Sequence, residues 1–493
     1  CCAAMRAPIA LSKTKLLSMA QCRRKLWLET YSPELMPEPS AEKAAVLATG
    51  NAVGEIARQL YGRGAGHVVS FERGLRAAID ATRALIERGG REPIFEATFD
   101  HDGVAVRVDV LDRSEPLPKI VEVKSSARVK EHHLDDCAIQ AWALAQNGLR
   151  VRQIAVATLN PDFVYAGDGR YEGLLVETDV TERVQERLTG VGELVVAARR
   201  TLAALDEPAV AVGTHCGAPH ECDFYAHCAP RAGKYPVLDL GGSKEKLYEL
   251  MHSGFTDVRD VPEAKLESDV QRRIWQQSRL EAPYVGAELR EAVGALSFPR
   301  YYLDFETIGP AVPLFAGTRP FEALPFQWSC HIEKQRGEIE HAEFLDLDGE
   351  APMRALAESL LATLGIAGPI LVYTPYERRV LNDLAARYDD LAAPLTKLAE
   401  RIVDLHPIAR RHYYHPAMHG SWSIKAVLPT VAPDLGYETL GAVRDGLAAQ
   451  TAYLEAIDPK TTPDRRPPLR RALLDYCRHD TLALVRLVEF FGR

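Results

Sequence analysis

Two strand-like runs of the sequence carry carboxylates and a lysine at positions that paired strands would bring together. Asp109 lies in the run 103–112, and Glu122 and Lys124 lie in the run 118–125. Because side chains of a strand alternate between its faces, Glu122 and Lys124 share one face, and Asp109 lies opposite the valines on both sides of it. If the runs pair as a hairpin, the three side chains form an oxygen-rich Mg²⁺ site beside an amine that can act on the attacking water. A solvated strand face with an ordinary cross-strand ion pair is the alternative.

The spacing Asp-x(12)-Glu-x-Lys, followed by a predicted helix that carries Gln140, resembles the core of the PD-(D/E)XK nucleases, specifically their RecB-like branch. The resemblance implies a restriction-endonuclease-like α/β core in which Asp109 and Glu122 bind a metal ion. It also implies that Lys124 assists the attacking water and that Gln140, on the next helix, supports the site.

This resemblance is incomplete at two positions. The helix of the family often reads Gln-x-x-x-Tyr, and Leu144 stands at the tyrosine position. The histidine that binds metal upstream in the family has no match, and the sequence Gly50-x-x-x-Gly54-Glu55 stands in its place. Glu55 is therefore either a carboxylate ligand that replaces the histidine or a residue on the surface of a helix.

Four cysteines are arranged as one upstream residue and an evenly spaced group of three. Cys216, Cys222 and Cys228 have five residues between each pair, and Cys22 lies far before them. Three clustered thiolates and one remote thiolate can complete a four-sulfur iron–sulfur site. The alternatives are a zinc site, which typically has tighter cysteine pairs, and cysteines that bind no metal.

The order of these cysteines is similar to that of RecB-like exonucleases and of the nuclease of CRISPR adaptation. Those proteins have one cysteine before the nuclease core and three after it. The resemblance implies that the four residues hold a [4Fe–4S] cluster that staples the two ends of the domain. The gap between Cys216 and Cys222 is longer than the two-residue gap expected from the family. Three other cysteines, Cys137, Cys330 and Cys477, are predicted to be small buried apolar residues.

A second group of acidic residues lies in the C-terminal part of the chain. Asp304 and Glu306 are two apart in a strand-like run and share one face of it. Tyr476 and Asp480 are four apart in a helical stretch and share one helix face. Glu377 follows a short apolar strand at the start of a predicted helix. For the Asp-x-Glu pair alone, a solvated strand edge is the alternative.

These three motifs, in this order, resemble the DnaQ-like 3′–5′ exonucleases of the RNase H fold. The resemblance implies that Asp304, Glu306 and Asp480 bind two metal ions, which can stabilise both the attacking and the leaving oxygen. It also implies that Tyr476 orients the water. Glu377 stands where the family has aspartate, and its extra methylene displaces the carboxylate. The domain is therefore predicted to have altered metal use or to have lost catalysis.

Two more polar residues lie between these motifs. Asp404 is a further acidic candidate, with a loop or helix-cap residue as the alternative. Lys425, in the run 420–425, can contact a phosphate backbone.

The periodicity of apolar residues and the positions of turn-forming residues divide the chain into three parts and predict a mixed α/β fold. The parts are a RecB-like domain at 10–230, a helical connector at 231–297 and a DnaQ-like domain at 298–493. The main helices of the first domain are expected at 11–30, 41–62, 131–148 and 179–205, and its strands at 94–100, 103–112, 118–125 and 151–160.

Composition places the chain among ordinary globular proteins. The 493 residues are 47% hydrophobic, and the net charge of −9 provides no global basic field. No apolar run approaches the ~20 residues of a membrane span, and Lys13 and Lys15 interrupt the short apolar stretch near the N-terminus. Nine cysteines without a secretory signal favour a reducing, cytoplasmic compartment. Cys1 and Cys2 precede Met5, the expected first residue, and no role is assigned to them.

The motifs together predict a metal-dependent nuclease that hydrolyses phosphodiester bonds of DNA rather than RNA, with Mg²⁺ or Mn²⁺ at the first site and no membrane partner. The pairing of the two domains resembles an uncharacterised bacterial family of fused predicted nucleases. One alternative is a nucleic-acid-binding or scaffolding protein with degenerate nuclease folds and a purely structural cluster. Another is a zinc-stabilised hydrolase of a different substrate.

Overall fold

The computed structural model of the chain describes residues 10–493. Cys1, Cys2 and Met5 lie outside the described residues. Helices and mixed sheets alternate along the described chain, so the fold class is mixed α/β, as the sequence predicts. None of the helices in this range has the length and apolar character needed to cross a bilayer.

The described residues form two compact units. The first unit contains the described residues up to Ala229 together with Pro310–Phe321. The second unit contains Pro230–Gly309 and Glu322–Arg493. The stretch 231–297, predicted as a helical connector, thus lies within the second unit.

The described part of the first unit is built on a seven-stranded mixed sheet. Its strands are β1 (Leu11–Ser12), β2 (His67–Val68), β3 (Ile94–His101), β4 (Val104–Asp112), β5 (Lys119–Lys124), β6 (Gln153–Leu159) and β7 (Leu175–Asp179). Its helices are α1 (Lys13–Gln21), α2 (Arg23–Tyr31), α3 (Ala41–Gly62), α4 (Leu75–Glu87), α5 (Glu131–Gln146), α6 (Thr181–Ala203) and α7 (Tyr225–Cys228). Strands β3 to β6 and helices α3, α5 and α6 form within two residues of the positions predicted from the sequence.

Strands β2 to β7 lie in sequential order, and β1 pairs with β4. Strands β3, β4 and β5 are successively antiparallel, so the predicted hairpin of β4 and β5 is confirmed. Strand β6 is parallel to β5, and α5 provides the crossover that a parallel pair requires. Helix α5 packs on this sheet through a mostly apolar face, mainly against β3 and β4.

The alternation of side chains along β4 is interrupted at Asp109. Val108 and Leu111 belong to the main core of the unit, whereas Val110 belongs to a separate cluster with Val121. The expectation that Val108 and Val110 share one face is therefore wrong. Glu96, which lies beside this point on β3, has a φ of 58°, a left-handed conformation that is uncommon for residues other than glycine. Both strands are thus irregular where the acidic residue lies.

The single helix predicted at 11–30 is two helices, α1 and α2, separated by Cys22. Cys22 has an extended backbone, with φ −164° and ψ 123°, which cannot continue a helix. Ser12 caps α1, because its side chain accepts a hydrogen bond from the backbone N–H of Lys15. Cys22 therefore lies at a helix junction rather than within one helix.

The second unit contains a five-stranded sheet and a two-stranded sheet. The strands are β8 (Tyr284–Val285), β9 (Arg300–Ile308), β10 (Leu324–Gln335), β11 (Glu338–Leu345), β12 (Ile370–Val372), β13 (Ile402–Asp404) and β14 (Tyr413–Tyr414). The helices are α8 (Lys244–His252), α9 (Asp269–Leu280), α10 (Leu289–Gly294), α11 (Met353–Thr363), α12 (Tyr376–Arg387), α13 (Ala392–Glu400), α14 (His406–His412), α15 (Ile424–Val431), α16 (Gly446–Ile457) and α17 (Arg466–Phe491).

The larger sheet has the order β11-β10-β9-β12-β13, and β8 pairs with β14. Strand β10 is antiparallel to β9 and β11, whereas β9, β12 and β13 are parallel. The long helix α17 packs on β9 and β10. Tyr235, Leu247 and Ile274, from the stretch 231–297, are buried in the same core as Tyr302 of β9, which explains why this stretch lies within the second unit.

Candidate metal-binding sites

The hairpin of the first unit brings the predicted residues of the first site together. Glu122 and Lys124 lie on β5, and Lys124 Nζ is 2.7 Å from Glu122 Oε1. Gln140 on α5 donates through Nε2 to Glu122 Oε2 at 2.5 Å. Asp109 Oδ2 accepts the backbone N–H of Val123 at 2.7 Å, so its carboxylate reaches across from β4 to β5. The structure thus places these polar side chains around the buried carboxylate of Glu122.

Two further residues of this site, Lys13 and Asp136, were not identified from the sequence. Lys13 Nζ lies 3.2 Å from Glu122 Oε1 and 2.7 Å from Asp136 Oδ1. Lys124 Nζ lies 2.6 Å from Asp136 Oδ2. Asp136 could have been found, because it lies four residues before Gln140 and so shares its face of α5. Lys13 comes from α1, at the opposite end of the domain sequence, and no local spacing indicates it.

Three carboxylates and two ammonium groups are crowded at this site. Burial, together with the nearby charges of Asp109 and Asp136, raises the pKa of Glu122 to about 7. Burial also raises the pKa of Asp109 above its usual range. Burial opposes the ionisation of Asp136, but Lys13 and Lys124 outweigh this effect and lower the pKa of Asp136. Lys13 and Lys124 offset part of this buried negative charge, and within residues 10–493 the three carboxylates do not place three ligand atoms within 4.8 Å of one another.

Glu55, predicted as either a metal ligand or a surface residue, lies on α3. Its side chain is 59% exposed and pairs with Arg58 at 2.5 Å. Arg58 also lies 3.6 Å from Glu96. The described contacts of Glu55 do not include Asp109 or Glu122. This placement is typical of the surface alternative.

The four predicted cysteines line one pocket. Cys22 reaches it from the junction of α1 and α2, and Cys216, Cys222 and Cys228 reach it from the segment after α6. Burial and the nearby thiols of Cys222 and Cys22 raise the pKa of Cys228 to about 11. Cys22 and Cys222, about 200 positions apart in the sequence, therefore line the same pocket of the fold.

The four sulfurs are not packed as closely as the ligands of one metal ion. Within residues 10–493, three ligand atoms lie within 4.8 Å of one another only at Asp304, Glu306 and Cys477, so the four sulfurs do not form such a group. A zinc ion with Zn–S distances of about 2.3 Å would require sulfurs roughly 3.8 Å apart. In a cluster each iron takes one cysteine, so the sulfurs lie farther apart.

Hydrogen bonds hold the two ends of this domain together around the cysteines. Gln21 Nε2 donates to the carbonyl oxygens of His215, at 2.9 Å, and of His220, at 2.8 Å. Trp27 Nε1 donates to the carbonyl oxygen of Ala204 at 3.3 Å. Helix α1 begins at Lys13 and ends just before Cys22. One helix of nine residues therefore connects the cysteine pocket to the first acidic site.

In the second unit, β9 and α17 bring the predicted acidic residues together. Ligand atoms of Asp304, Glu306 and Cys477 lie within 4.8 Å of one another. Asp480 lies close enough to raise the pKa values of both Asp304 and Glu306. The hydroxyl groups of Tyr476 and Tyr437 donate to the carboxylate of Asp480. Tyr437 and Cys477 were not identified as site residues from the sequence, although Cys477 directly follows Tyr476 in the motif.

Burial dominates the electrostatics of this second site. Burial and the charge of Asp480 raise the pKa of Asp304 well above its usual range, and burial raises the pKa of Glu306 likewise. Burial also raises the pKa of Asp480 to about 6 and, with the nearby charge of Asp404, that of Glu377 to about 7. Glu377 Oε2 is buried and has no hydrogen-bond partner among the described residues. An acceptor without a donor in such a place is suited to a cation.

Asp404 and Lys425 lie at the edge of this acidic group. Asp404, at the end of β13, accepts the backbone N–H of His406 at 2.9 Å and also interacts with Glu377, and the N-cap of the following helix is Leu405. Lys425 Nζ lies 5.2 Å from the ring centroid of Tyr437. Lys425 also favours ionisation of Glu306 through its charge. The second site therefore has one ammonium group near several carboxylates.

Part of the chain matches a known family model. Residues 301–423 match the family described as "Domain of unknown function (DUF2779)". This span contains Asp304, Glu306, Glu377 and Asp404 but ends before Asp480. None of the curated proteins matches the chain.

Substitution of Glu377 by glutamine is expected to change the pH dependence of stability. The pKa of Glu377 is raised from an ordinary 4.5 to about 7, so its contribution to stability is present below about pH 4.5 and is lost as the pH rises through 7. Metal-free wild type should therefore lose on the order of 3 kcal/mol more between about pH 5 and pH 8 than Glu377→Gln does. Thermal denaturation in chelator at both pH values measures this difference. Identical pH dependence of the two proteins would mean that Glu377 does not titrate in this range.

Proposed function

We propose that this chain is a metal-dependent nuclease that hydrolyses phosphodiester bonds of DNA. The observation that carries the proposal is the group of Asp109, Glu122, Lys124 and Gln140 on one hairpin and the helix that follows it. The order of strand, strand, helix and parallel strand from β4 to β6 supports a PD-(D/E)XK core. The carboxylates fit the oxygen-liganded metals Mg²⁺ and Mn²⁺.

In this proposal Asp109 and Glu122 hold the metal ion. A bound divalent ion would lower the pKa of a water molecule and neutralise charge on the phosphoryl oxygens. Burial opposes the charge of Lys124, but Glu122 and Asp136 outweigh this effect and raise the pKa of Lys124 above its usual range. Lys124 is therefore protonated at neutral pH. Its role is to stabilise the negative charge of the transition state rather than to take a proton from water.

Lys13 and Asp136 position Lys124 and Glu122 in the same proposal. Asp136 accepts from both Lys13 and Lys124, which holds the two ammonium groups beside the same oxygen of Glu122, Oε1. Gln140 fixes the other oxygen of Glu122. Such support by neighbouring hydrogen bonds keeps a metal ligand in one orientation.

The second unit is proposed to be a DnaQ-like domain of the RNase H fold. The mixed sheet of order β11-β10-β9-β12-β13 supports the assignment, because β10 is antiparallel to β9 and Asp304 and Glu306 lie on the central strand β9. Asp304 and Glu306 on the central strand would hold metal. Since Glu377 replaces aspartate and two tyrosines bind Asp480, this site is proposed to be slower than the first and to favour Mn²⁺, which is less strict in geometry than Mg²⁺.

The four cysteines are proposed to hold a structural [4Fe–4S] cluster. Bound iron would join the segment around Cys22 to the segment after α6, where hydrogen bonds already connect them. Metal binding and folding are coupled in such sites. A thiolate-bound cluster and four reduced cysteines fit a reducing, cytoplasmic compartment.

The proposed function is tested by incubating anaerobically purified protein with end-labelled single- and double-stranded DNA and RNA in Mg²⁺ or Mn²⁺. DNA is expected to be cleaved, and Asp304→Ala/Glu306→Ala is expected to retain most of the activity in Mg²⁺ and to lose relatively more in Mn²⁺. Loss of nearly all Mg²⁺-dependent activity in this double variant would place the main activity in the second unit. Binding of DNA without cleavage by wild type would favour the nucleic-acid-binding alternative.

A further inference from the structure

The second acidic site contains a thiol. Cys477 is fully buried on α17, at 0% exposure. Its Sγ lies 3.6 Å from Asp304 Oδ2, and the ligand atoms of Asp304, Glu306 and Cys477 lie within 4.8 Å of one another. An apolar role, which the sequence suggests for this cysteine, does not account for a thiol in contact with carboxylates.

Asp480, the acidic residue of α17 that was predicted to bind metal with Asp304 and Glu306, is held by hydrogen bonds to other residues. Cys477 and Asp480 are three residues apart and share one helix face. Both tyrosine hydroxyls, of Tyr437 and Tyr476, donate to Asp480, and these bonds hold its carboxylate. The ligand atom that α17 contributes to the compact group is therefore the sulfur of Cys477 rather than an oxygen of Asp480.

A second observation points independently to a bound cation. Glu377 is 5% exposed, and its Oε2 has no hydrogen-bond partner among the described residues. The charge of Glu377 acts on both Asp304 and Glu306, so Glu377 lies near the acidic group, although outside the compact set of Asp304, Glu306 and Cys477. A buried carboxylate oxygen without a donor is costly unless a cation or water satisfies it.

We propose that Asp304, Glu306 and Cys477 form a site for a thiophilic divalent cation, Zn²⁺. The inference rests on the proposed function because it concerns the same acidic group, and it adds Zn²⁺ to Mn²⁺ as a metal that this group would hold. Zn²⁺ takes four ligands and accepts sulfur and carboxylate oxygen, whereas Mg²⁺ requires six oxygens in octahedral geometry. Binding replaces the thiol proton of Cys477 by zinc and releases that proton to solvent. Zn²⁺ at this site would exclude Mg²⁺ from Asp304 and Glu306.

The test uses Co²⁺ as a spectroscopic substitute for zinc in the full-length protein. The protein is purified anaerobically, so that the proposed cluster cysteines, Cys22, Cys216, Cys222 and Cys228, keep their own metal. Co²⁺ is added without nucleic acid, and the spectrum before addition is subtracted. Wild type is expected to show a thiolate-to-cobalt band in the near ultraviolet. Cys477→Ser should lose this band and bind Zn²⁺ at least about tenfold more weakly. Cys330→Ser is the matched control, because Cys330 is also fully buried in this unit and its thiol donates to a backbone carbonyl.

The outcomes separate this site from the proposed nuclease. A cobalt band that persists in Cys477→Ser, or equal affinity of wild type for Zn²⁺ and Mg²⁺, would overturn the inference. If Cys477→Ser does not fold, Glu306→Gln keeps the sulfur and should retain the band with weaker Co²⁺ binding; an unchanged affinity would also overturn it. If wild type shows the thiolate-to-cobalt band but does not cleave DNA, the zinc site is supported and the proposed function is contradicted. DNA cleavage without the band would overturn the zinc site alone.

Discussion

Lys124→Ala is expected to lower the rate of Mg²⁺-dependent DNA cleavage by about 10²–10³-fold, because it removes a charge that stabilises the transition state. Lys124 Nζ lies 2.7 Å from Glu122 and 2.6 Å from Asp136, so it is held beside the proposed metal ligands. DNA binding and iron content should stay at the values of wild type. Rates under single-turnover conditions, with binding measured separately in chelator, give the effect on chemistry alone.

Lys119→Ala provides the matched control for this variant. Lys119 lies on the same strand, β5, but its Nζ pairs with Glu177 at 2.8 Å, away from Glu122. Its loss should leave cleavage near the rate of wild type. Asp109→Asn, by contrast, should reproduce the loss seen with Lys124→Ala, because it weakens the metal site. Normal cleavage by both Lys124→Ala and Asp109→Asn would mean that the activity lies outside this hairpin.

Cys222→Ala is expected to remove bound iron and to destabilise the first unit by on the order of 5 kcal/mol, since the cluster closes a loop of roughly 200 residues. The protein should become insoluble or sensitive to protease and lose the broad absorption near ~400 nm. Iron analysis after anaerobic purification, together with limited proteolysis, measures both effects.

Cys137→Ala is the control for the removal of a cysteine as such. Cys137 is buried in the main core of the first unit and lies outside the cysteine pocket. Its replacement should cost about 1 kcal/mol and leave the iron content unchanged. Stoichiometric zinc without iron in wild type would contradict the proposed cluster and favour the zinc alternative.

Local patterns in the sequence predict the parts of the first site that lie on consecutive elements. Asp109, Glu122 and Gln140 fall on two strands and the following helix, whose order limits how they can pack. Strand alternation placed Glu122 and Lys124 on a common face, and the hairpin brought Asp109 to them. The interruption at Asp109 was missed, because a period of two cannot reveal where a strand is irregular.

Contacts between distant segments could not be derived from periodicity. Lys13 reaches Glu122 across 109 residues, and its place in an amphipathic helix resembles that of any surface lysine. The break at Cys22 depends on one residue with an extended backbone. In the second unit, Tyr437 reaches Asp480 from a separate segment. The stretch 231–297 was predicted to be a connector because its apolar residues are scattered among polar ones, although several of them are buried in the core of the second unit.

Cleavage of end-labelled DNA by wild type and by Lys124→Ala/Asp304→Ala, each in Mg²⁺ and in Mn²⁺, measures most directly whether the acidic groups of this chain hydrolyse phosphodiester bonds. Wild type is expected to cleave the DNA, and the double variant, in which both sites are disabled, is expected to bind DNA in chelator without cleaving it when metal is added. Absence of cleavage by wild type in both metals, or equal cleavage by the double variant, would contradict the proposed nuclease function.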